Sequence, residues 1–197
     1  MKRIVLTSCG PIDNKLKEQF LKLFSKGPND LKVLFIITAL DVENKIIASK
    51  CIEEEMDVLL EFGIRKENIT EYKIDNNLDI MGYDFIYMIG GNTFYLLKEI
   101  RECEFDVKLR NAIENDVVYV GSSAGSIIMG NTIETARDKN KYIDDFMGLK
   151  YINGIIIPHA NRRKEYIEEQ KKKFKDKIYP LYDNHGIIII DDDIKEY

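Results

Sequence analysis

Short apolar runs alternate with amphipathic stretches along nearly the whole chain. The apolar runs predict β-strands at residues 3–7, 32–39, 69–74, 83–89, 117–120, 154–157 and 187–190. The amphipathic stretches predict helices at residues 12–24, 43–62, 94–101, 107–115 and 161–174. The strand at 32–39 is apolar on both faces, which is typical of a central parallel strand covered on both sides.

This alternation of strands and helices indicates an α/β fold. We expect three layers, with a mostly parallel, doubly wound sheet between helices on both of its faces. Ligands of such sheets bind at the carboxyl ends of the strands. Four segments of unusual composition follow predicted strands, at residues 90–93, 121–125, 158–163 and 183–186. We therefore expect the functional site at this edge of the sheet.

Composition and charge limit the classes of partner. The 197 residues suffice for one core, so we expect a single α/β domain over residues 1–197. The net charge of −5 argues against binding to nucleic acid through its phosphates, because that requires a clustered excess of basic residues. The basic run at 171–177 follows an acidic segment, an order that suits the dipole of a solvated helix.

Neither a membrane segment nor a disulfide is expected. The N-terminal apolar run is too short for a signal peptide, and no stretch approaches the roughly 18 apolar residues of a membrane helix. The three cysteines, Cys9, Cys51 and Cys103, are far apart and lack CxxC spacing. We therefore expect a reduced, cytoplasmic protein without a structural zinc site.

The strongest candidate for chemistry lies just after the apolar run at 117–120. Gly121, Ser123 and Gly125 form the pattern G-x-S-x-G between a predicted strand and residues able to start a helix. In a nucleophile elbow of this kind, small neighbours allow a strained serine to stand exposed at the strand end. Ser123 is therefore the candidate nucleophile, although a plain tight turn of small residues gives the same pattern.

A serine nucleophile needs a base and an acid that orients the base. His159 follows a predicted strand and is favoured as the base over His185, which lies in a predicted turn. Asp183 and Asp138 compete for the orienting role. We favour Asp183, because a position at a strand end holds a carboxylate more rigidly than a loop does.

Backbone N–H groups are the expected donors to the oxyanion. One should come from Ala124, after the nucleophile, and the other from Gly91, where a Gly-Gly turn leaves the backbone open to a ligand. The alternative for the second segment is a helix start capped by Asn92 or Thr93. Neither G-x-G-x-x-G nor G-x-x-x-x-G-K-[ST] occurs, and residues 191–193 suit a solvated hairpin end, so we expect no cofactor and no metal.

Together, the segments G-G-N-T-F at 90–94, G-S-S-A-G at 121–125 and P-H at 158–159 resemble the dipeptidase E family of serine peptidases. The resemblance spans residues 3–190 and implies a class I glutamine-amidotransferase-like fold and cleavage of dipeptides. It implies Ser123 as nucleophile, His159 as base, and oxyanion donors at Gly91 and Ala124. Asp183 and Asp138 both have acidic counterparts in the family, so the orienting acid stays open.

The hypothesis is a serine exopeptidase acting on short peptides through an acyl-enzyme. Asn92, Arg162 and Arg163 are candidate substrate-binding residues, the arginines through a substrate carboxylate. The loop after His159 is shorter than in aspartyl dipeptidases, which leaves a preference for aspartate open. The alternatives are a cyanophycinase-like isopeptidase or amidohydrolase, and a binding protein without turnover. The expected partner is a peptide rather than nucleic acid or membrane, and a homodimer is compatible with the sequence.

Overall fold

A computed structural model describes residues 1–10, 13–75, 77 and 79–197. The strands within these ranges are β1 (Arg3–Thr7), β2 (Val33–Ile36), β3 (Ile69–Tyr72), β4 (Phe85–Met88), β5 (Val118–Ser122), β6 (Ile155–Ile157), β7 (Ile178–Pro180), β8 (Gly186–Ile190) and β9 (Asp193–Glu196). The helices are α1 (Asn14–Leu21), α2 (Lys45–Glu61), α3 (Thr93–Glu102), α4 (Phe105–Glu114), α5 (Ala124–Ile127) and α6 (Lys164–Lys173). None of these helices combines the length and apolar composition needed to span a bilayer.

Seven strands form the main sheet in the order β3-β2-β4-β5-β1-β8-β9. The five strands from β3 to β1 are parallel, whereas β8 runs antiparallel to β1 and β9 antiparallel to β8. The sheet confirms the predicted α/β class. It also places β5, which leads into Ser123, between β4 and β1 near the middle of the sheet.

Side chains of successive strand residues enter two separate cores, one on each face of the sheet. Val33 and Phe35 of β2 pack with residues of α1 and α2, whereas Leu34 and Ile36 pack with residues of α3 and α4. Every residue of β2, β4 and β5 is buried. Helices thus cover both faces, which explains why these strands are continuous apolar runs in the sequence.

The strand predicted at 154–157 lies outside the main sheet. It is β6, and it pairs in parallel with β7 in a sheet of two strands. The Leu181 N–H donates to Ile157 O and the Ala160 N–H to Leu181 O, both at 2.9 Å, so the pairing continues beyond both strands. These bonds hold the segment around His159 in place. The sequence correctly predicted that His159 follows a strand, but it did not predict that this strand pairs outside the main sheet.

The helix bounds differ from the predictions at several ends. The first helix was predicted from residue 12, which lies outside the described residues, and it ends at Leu21 rather than residue 24. Asp13 caps it by accepting hydrogen bonds from the Lys15 and Leu16 N–H groups. The helix predicted at 161–174 begins as a short 3-10 turn, Ala160–Arg162, before α6. The hairpin partner β9 was not predicted, although residues 191–192 form the expected turn.

Candidate active site

The turn between β5 and α5 holds Ser123 in a strained backbone conformation. Its φ of 48° and ψ of −106° lie in a region that side chains rarely adopt, at a cost on the order of 1–3 kcal/mol. The Ser123 N–H donates to Thr7 O at 3.0 Å, which ties the turn to the end of β1. Ser123 is partly exposed between the buried Ser122 and Ala124, so its hydroxyl is accessible at the strand end.

The glycines of the turn are required by close backbone contacts. A Cβ at Gly121 would lie 2.6 Å from Gly125 O, and one at Gly125 would overlap Met88 O on β4. A Cβ at Gly90 would lie 3.0 Å from the Cβ of Ser123. Any larger side chain at these positions would therefore push the turn away from its neighbours.

Hydrogen bonds to Ser126 fix the turn against β1. The Ser126 hydroxyl lies 2.8 Å from both Thr7 O and Gly121 O, and it accepts from the Thr7 N–H at 3.0 Å. On the other side, the Tyr119 hydroxyl donates to Gly125 O at 2.6 Å. These buried bonds stabilise the strained conformation of Ser123 from both flanking elements.

The structure brings His159 to Ser123, with 3.2 Å between Ser123 Oγ and His159 Nε2. His159 has a φ of 57° and begins the 3-10 turn at Ala160. Its backbone N–H donates to Ser8 Oγ at 2.9 Å, and that hydroxyl donates to Leu181 O at 2.7 Å. The end of β1 therefore positions the histidine as well as the serine.

Asp183 lies on the other side of the imidazole, with Oδ1 2.8 Å from His159 Nδ1. Arg162 donates to Oδ2 at 3.2 Å, and the Asp183 N–H donates to Asn161 Oδ1 at 2.9 Å. Burial opposes ionisation, but the hydrogen bonds from His159 and Arg162 outweigh it and hold the pKa of Asp183 below its ordinary value. The ionised carboxylate accepts from Nδ1, which leaves Nε2 free to accept from Ser123.

Asp138 and Asn92 lie together at the start of α3 instead. Asp138 Oδ2 accepts from the Thr93 N–H at 2.9 Å, and Asn92 Oδ1 accepts from the Tyr95 N–H at 3.0 Å. Asn92 Nδ2 also donates to Lys139 O at 3.2 Å. Both side chains thus tie the loop around residue 138 to the helix, and the acid hydrogen-bonded to His159 is Asp183.

Ala124 directly follows Ser123, and Gly91 follows Gly90, which lies against the Cβ of Ser123. Gly91 has a φ of 137°, and a Cβ there would overlap Ala39 O in the turn after β2. The Asn92 N–H donates to that same carbonyl at 2.8 Å. Within the described part of the chain, neither the Gly91 nor the Ala124 N–H donates to another backbone group outside the regular ladders.

A basic depression of about 360 Å³ adjoins Asp183 through Arg162. It is lined by Arg137, Asn161, Arg162, Arg163, Lys164, Glu165 and Tyr166. Burial, together with the nearby Arg137, lowers the pKa of Arg163. The positive lining of the depression suits an anionic group.

The second histidine, His185, packs edge-on against Tyr182, with 5.8 Å between ring centroids.

Three neighbours of the site were not singled out from the sequence. Ser8 is described above, and Cys9 Sγ lies 3.6 Å from Asp183 Oδ1 and 3.8 Å from His159 Nδ1. Burial and the charge of Asp183 raise the pKa of Cys9 to about 12, so the thiol keeps its proton. The only sequence signal for Ser8 and Cys9 was their place directly after the first predicted strand.

Glu55, the third neighbour, reaches the back of the nucleophile turn from α2. Its Oε1 accepts from Ser122 Oγ at 2.6 Å, and its Oε2 accepts from the Tyr87 hydroxyl. Burial raises the pKa of Glu55, against the effect of these two hydrogen bonds. No motif in the sequence distinguished it from the other acidic residues of this helix.

Comparisons with known proteins show the family to which this chain belongs. The family model for peptidase family S51 matches residues 4–197. An uncharacterized peptidase of Listeria monocytogenes is 29% identical over 207 residues, covering 96% of this chain and 95% of the relative. A probable alpha-aspartyl dipeptidase of Drosophila melanogaster is 30% identical over 136 residues, which cover 68% of this chain and 54% of that protein.

A solved structure shares the fold over the full length. The crystal structure of a putative peptidase E protein from Listeria monocytogenes superimposes with a TM-score of 0.79 at 25% identity, covering 100% of this chain and 98% of that chain. The predicted resemblance to the dipeptidase E family is thereby confirmed. The chain belongs to peptidase family S51 and is a hydrolase of peptide bonds.

Proposed function

We propose that this protein is a serine exopeptidase that hydrolyses very short peptides through an acyl-enzyme on Ser123. The observation that carries the proposal is the continuous chain from Ser123 Oγ to His159 Nε2 at 3.2 Å, and from His159 Nδ1 to Asp183 Oδ1 at 2.8 Å. Such a chain makes a serine hydroxyl nucleophilic at neutral pH. The relatives named peptidase E and alpha-aspartyl dipeptidase support the same activity.

In the proposed reaction, Ser123 Oγ attacks the scissile carbonyl carbon while His159 Nε2 takes its proton. His159 then gives this proton to the leaving amine, and the C–N bond breaks to leave an ester on Ser123. A water molecule then attacks the ester carbon while giving a proton to the same nitrogen, and this proton passes to Ser123 Oγ as the bond between Oγ and the acyl carbon breaks. Asp183 holds the imidazole in the required tautomer and stabilises its protonated form.

The N–H groups of Gly91 and Ala124 are the proposed donors to the oxyanion. Ala124 directly follows Ser123, and Gly91 follows Gly90, where an added Cβ would lie 3.0 Å from the Cβ of Ser123. Because backbone donors are held by the fold, they need no reorganisation when negative charge develops on the oxygen. The close contact of Gly91 with Ala39 would keep this donor in place during the reaction.

We propose that the basic depression beside the site receives a carboxylate of the substrate. Arg162 is 74% exposed and already pairs with Asp183, whereas Arg163 is partly buried beside Arg137. Arg163 is therefore the better candidate for binding a carboxylate, through two parallel hydrogen bonds. Asn92 caps α3 through Oδ1 and binds Lys139 O through Nδ2, which argues for a supporting role in holding Gly91 rather than direct contact with substrate.

The three cysteines are free thiols, which supports the proposal that the enzyme works in a reducing compartment such as the cytoplasm.

A dipeptide screen tests the proposed function. Asp-Xaa and Xaa-Leu dipeptides are incubated with the enzyme and with the Ser123→Ala variant, and released amino acids are quantified. We expect hydrolysis of a subset of dipeptides, and a fall in kcat/KM of at least about a thousandfold for the variant. Equal rates for the two proteins would overturn the assignment of Ser123, and hydrolysis of none of these dipeptides would overturn the exopeptidase proposal.

A further inference from the structure

Cys9, His159 and Asp183 form a cluster of metal-ligating atoms within the proposed active site. Their Sγ, Nδ1 and Oδ1 atoms lie within 4.8 Å of one another, and all three side chains are partly exposed. The thiol comes from the segment after β1, the imidazole from the turn after β6, and the carboxylate from the segment after β7. The proposed hydrolysis assigns no role to this thiol.

The distances within this cluster are close to those of a tetrahedral zinc site. Typical Zn–S, Zn–N and Zn–O bond lengths place a sulfur about 3.6 Å from each of the other ligand atoms, and nitrogen about 3.4 Å from oxygen. The observed separations are 3.8 Å for Cys9 to His159, 3.6 Å for Cys9 to Asp183 and 2.8 Å for His159 to Asp183. Only His159 Nδ1 and Asp183 Oδ1 must move apart, by about half an ångström, to bind a tetrahedral zinc ion.

The charges around the cluster also favour a divalent cation. Burial, followed by the charge of the ionised Asp183, keeps the proton on Cys9, and the same negative charge attracts a metal ion. Arg162 binds Oδ2 of Asp183, so the ion can take Oδ1 without breaking that contact. Three protein ligands leave the fourth tetrahedral position to water.

We propose that Cys9, His159 and Asp183 form an inhibitory site for a thiophilic divalent cation of the Zn²⁺ class. Binding releases the Cys9 proton to solvent and places the ion on the Nδ1 lone pair of His159. The proton of Nδ1 moves to Nε2, and no atom changes oxidation state. With Nε2 protonated, His159 donates to Ser123 rather than accepting from it, so the serine loses its base. This inhibition rests on the proposed function, whereas the binding of the ion does not.

Co²⁺ tests binding without any reference to activity. In a Cys51→Ser/Cys103→Ser protein, Cys9 is the only thiol, and we expect a near-ultraviolet thiolate-to-cobalt band that saturates at one ion per chain. The band should vanish when Cys9→Ser is added, and it should persist when Ser123→Ala is added. Absence of the band from the protein with Cys9, or its persistence without Cys9, would overturn the proposal.

Zn²⁺ inhibition tests the consequence for catalysis. Hydrolysis of a responsive dipeptide should be inhibited reversibly, with activity restored by a chelator. Loss of an outer partner of a metal ligand lowers affinity about 10- to 100-fold, so loss of the thiolate should weaken inhibition by at least about 100-fold. Each variant is compared with its own metal-free rate. Equal inhibition of the parent and of Cys9→Ser would contradict the proposal.

The two assays separate the two proposals. A cobalt band that depends on Cys9, in a protein that hydrolyses no dipeptide, supports the metal site and overturns the exopeptidase. Dipeptide hydrolysis without such a band leaves the exopeptidase standing and overturns the metal site. Cys9→Ala repeats both measurements without a hydroxyl that could itself bind the ion.

Discussion

At the scale of single residues, the site depends on two backbone conformations that side chains rarely adopt. Ser123 and His159 both have positive φ, and each is held there by hydrogen bonds to the segment at the end of β1. Thr7 O binds the serine N–H and Ser8 Oγ binds the histidine N–H. One short segment thus sets the distance between the nucleophile and its base.

The choice between the two candidate acids gives a prediction at this scale. Asp183→Asn should lower kcat/KM by about a hundredfold or more, because the amide no longer fixes the tautomer or stabilises protonated His159. Asp138→Asn is the matched control, since asparagine caps a helix as well as aspartate does. The free energy of unfolding of Asp138→Asn should stay within about 0.5 kcal/mol of the parent value. Steady-state kinetics and urea unfolding measure these two effects, and a larger kinetic loss for Asp138→Asn would contradict our assignment.

At the scale of elements, the turn from β5 to α5 fits between its neighbours only because the residues at its closest contacts are glycines, which have no side chain. Gly121 and Gly125 touch across the turn, and Gly125 also lies against Met88 O of β4. The turn is therefore packed between β4 and β1 rather than standing free. This packing connects the position of Ser123 to the register of the central strands.

A substitution in this turn should consequently reduce both stability and activity. Gly125→Ala places a methyl group against Met88 O, and we expect a loss of about 1–3 kcal/mol in the free energy of unfolding, as for other overpacked sites. Gly82→Ala is the control, because nothing lies within 4 Å of a Cβ at Gly82. It should change stability by less than about 0.5 kcal/mol. Urea unfolding and dipeptide hydrolysis measure the two effects. Equal stability and activity of the two variants would contradict the prediction that the contact of Gly125 with Met88 O excludes a side chain.

At the scale of the whole molecule, Glu55 connects the helix layer to the strand that carries the nucleophile. It accepts hydrogen bonds from Tyr87 of β4 and from Ser122 of β5. Desolvation raises its pKa above that of the unfolded chain. Folding therefore favours the protonated carboxyl.

The pH dependence of stability should report this carboxyl. Because the folded state binds the proton more tightly, the contribution of Glu55 to stability is greatest below its unfolded pKa of about 4.3 and declines as pH rises through the folded pKa. Glu55→Gln should remove this decline, which begins above the unfolded pKa of about 4.3. Glu54→Gln, an exposed neighbour paired with Lys50, should keep it. Urea unfolding as a function of pH would contradict the prediction if both variants followed the parent curve.

Much of the fold and part of the site could be predicted because their signals are local. Continuous apolar runs marked β2, β4 and β5, since burial on both faces excludes polar residues. Gly121, Ser123 and Gly125 marked the nucleophile turn, since backbone sterics there act within a few residues. The separate β6–β7 pair was not predictable, because nothing in a strand of three residues specifies its partner.

The sequence by itself determined the strand–helix order and the small residues of the turn. It also gave one candidate nucleophile, one favoured base and two candidate orienting acids. The tertiary structure decided which acid lies beside His159, and it brought Cys9 and Glu55 to the site. The contacts responsible join residues 24, 67 and 150 positions apart. Local sterics within a turn restrict which residue types can occupy it, so they can be recognised in the sequence. A side-chain contact between distant segments exists only after those segments have packed together.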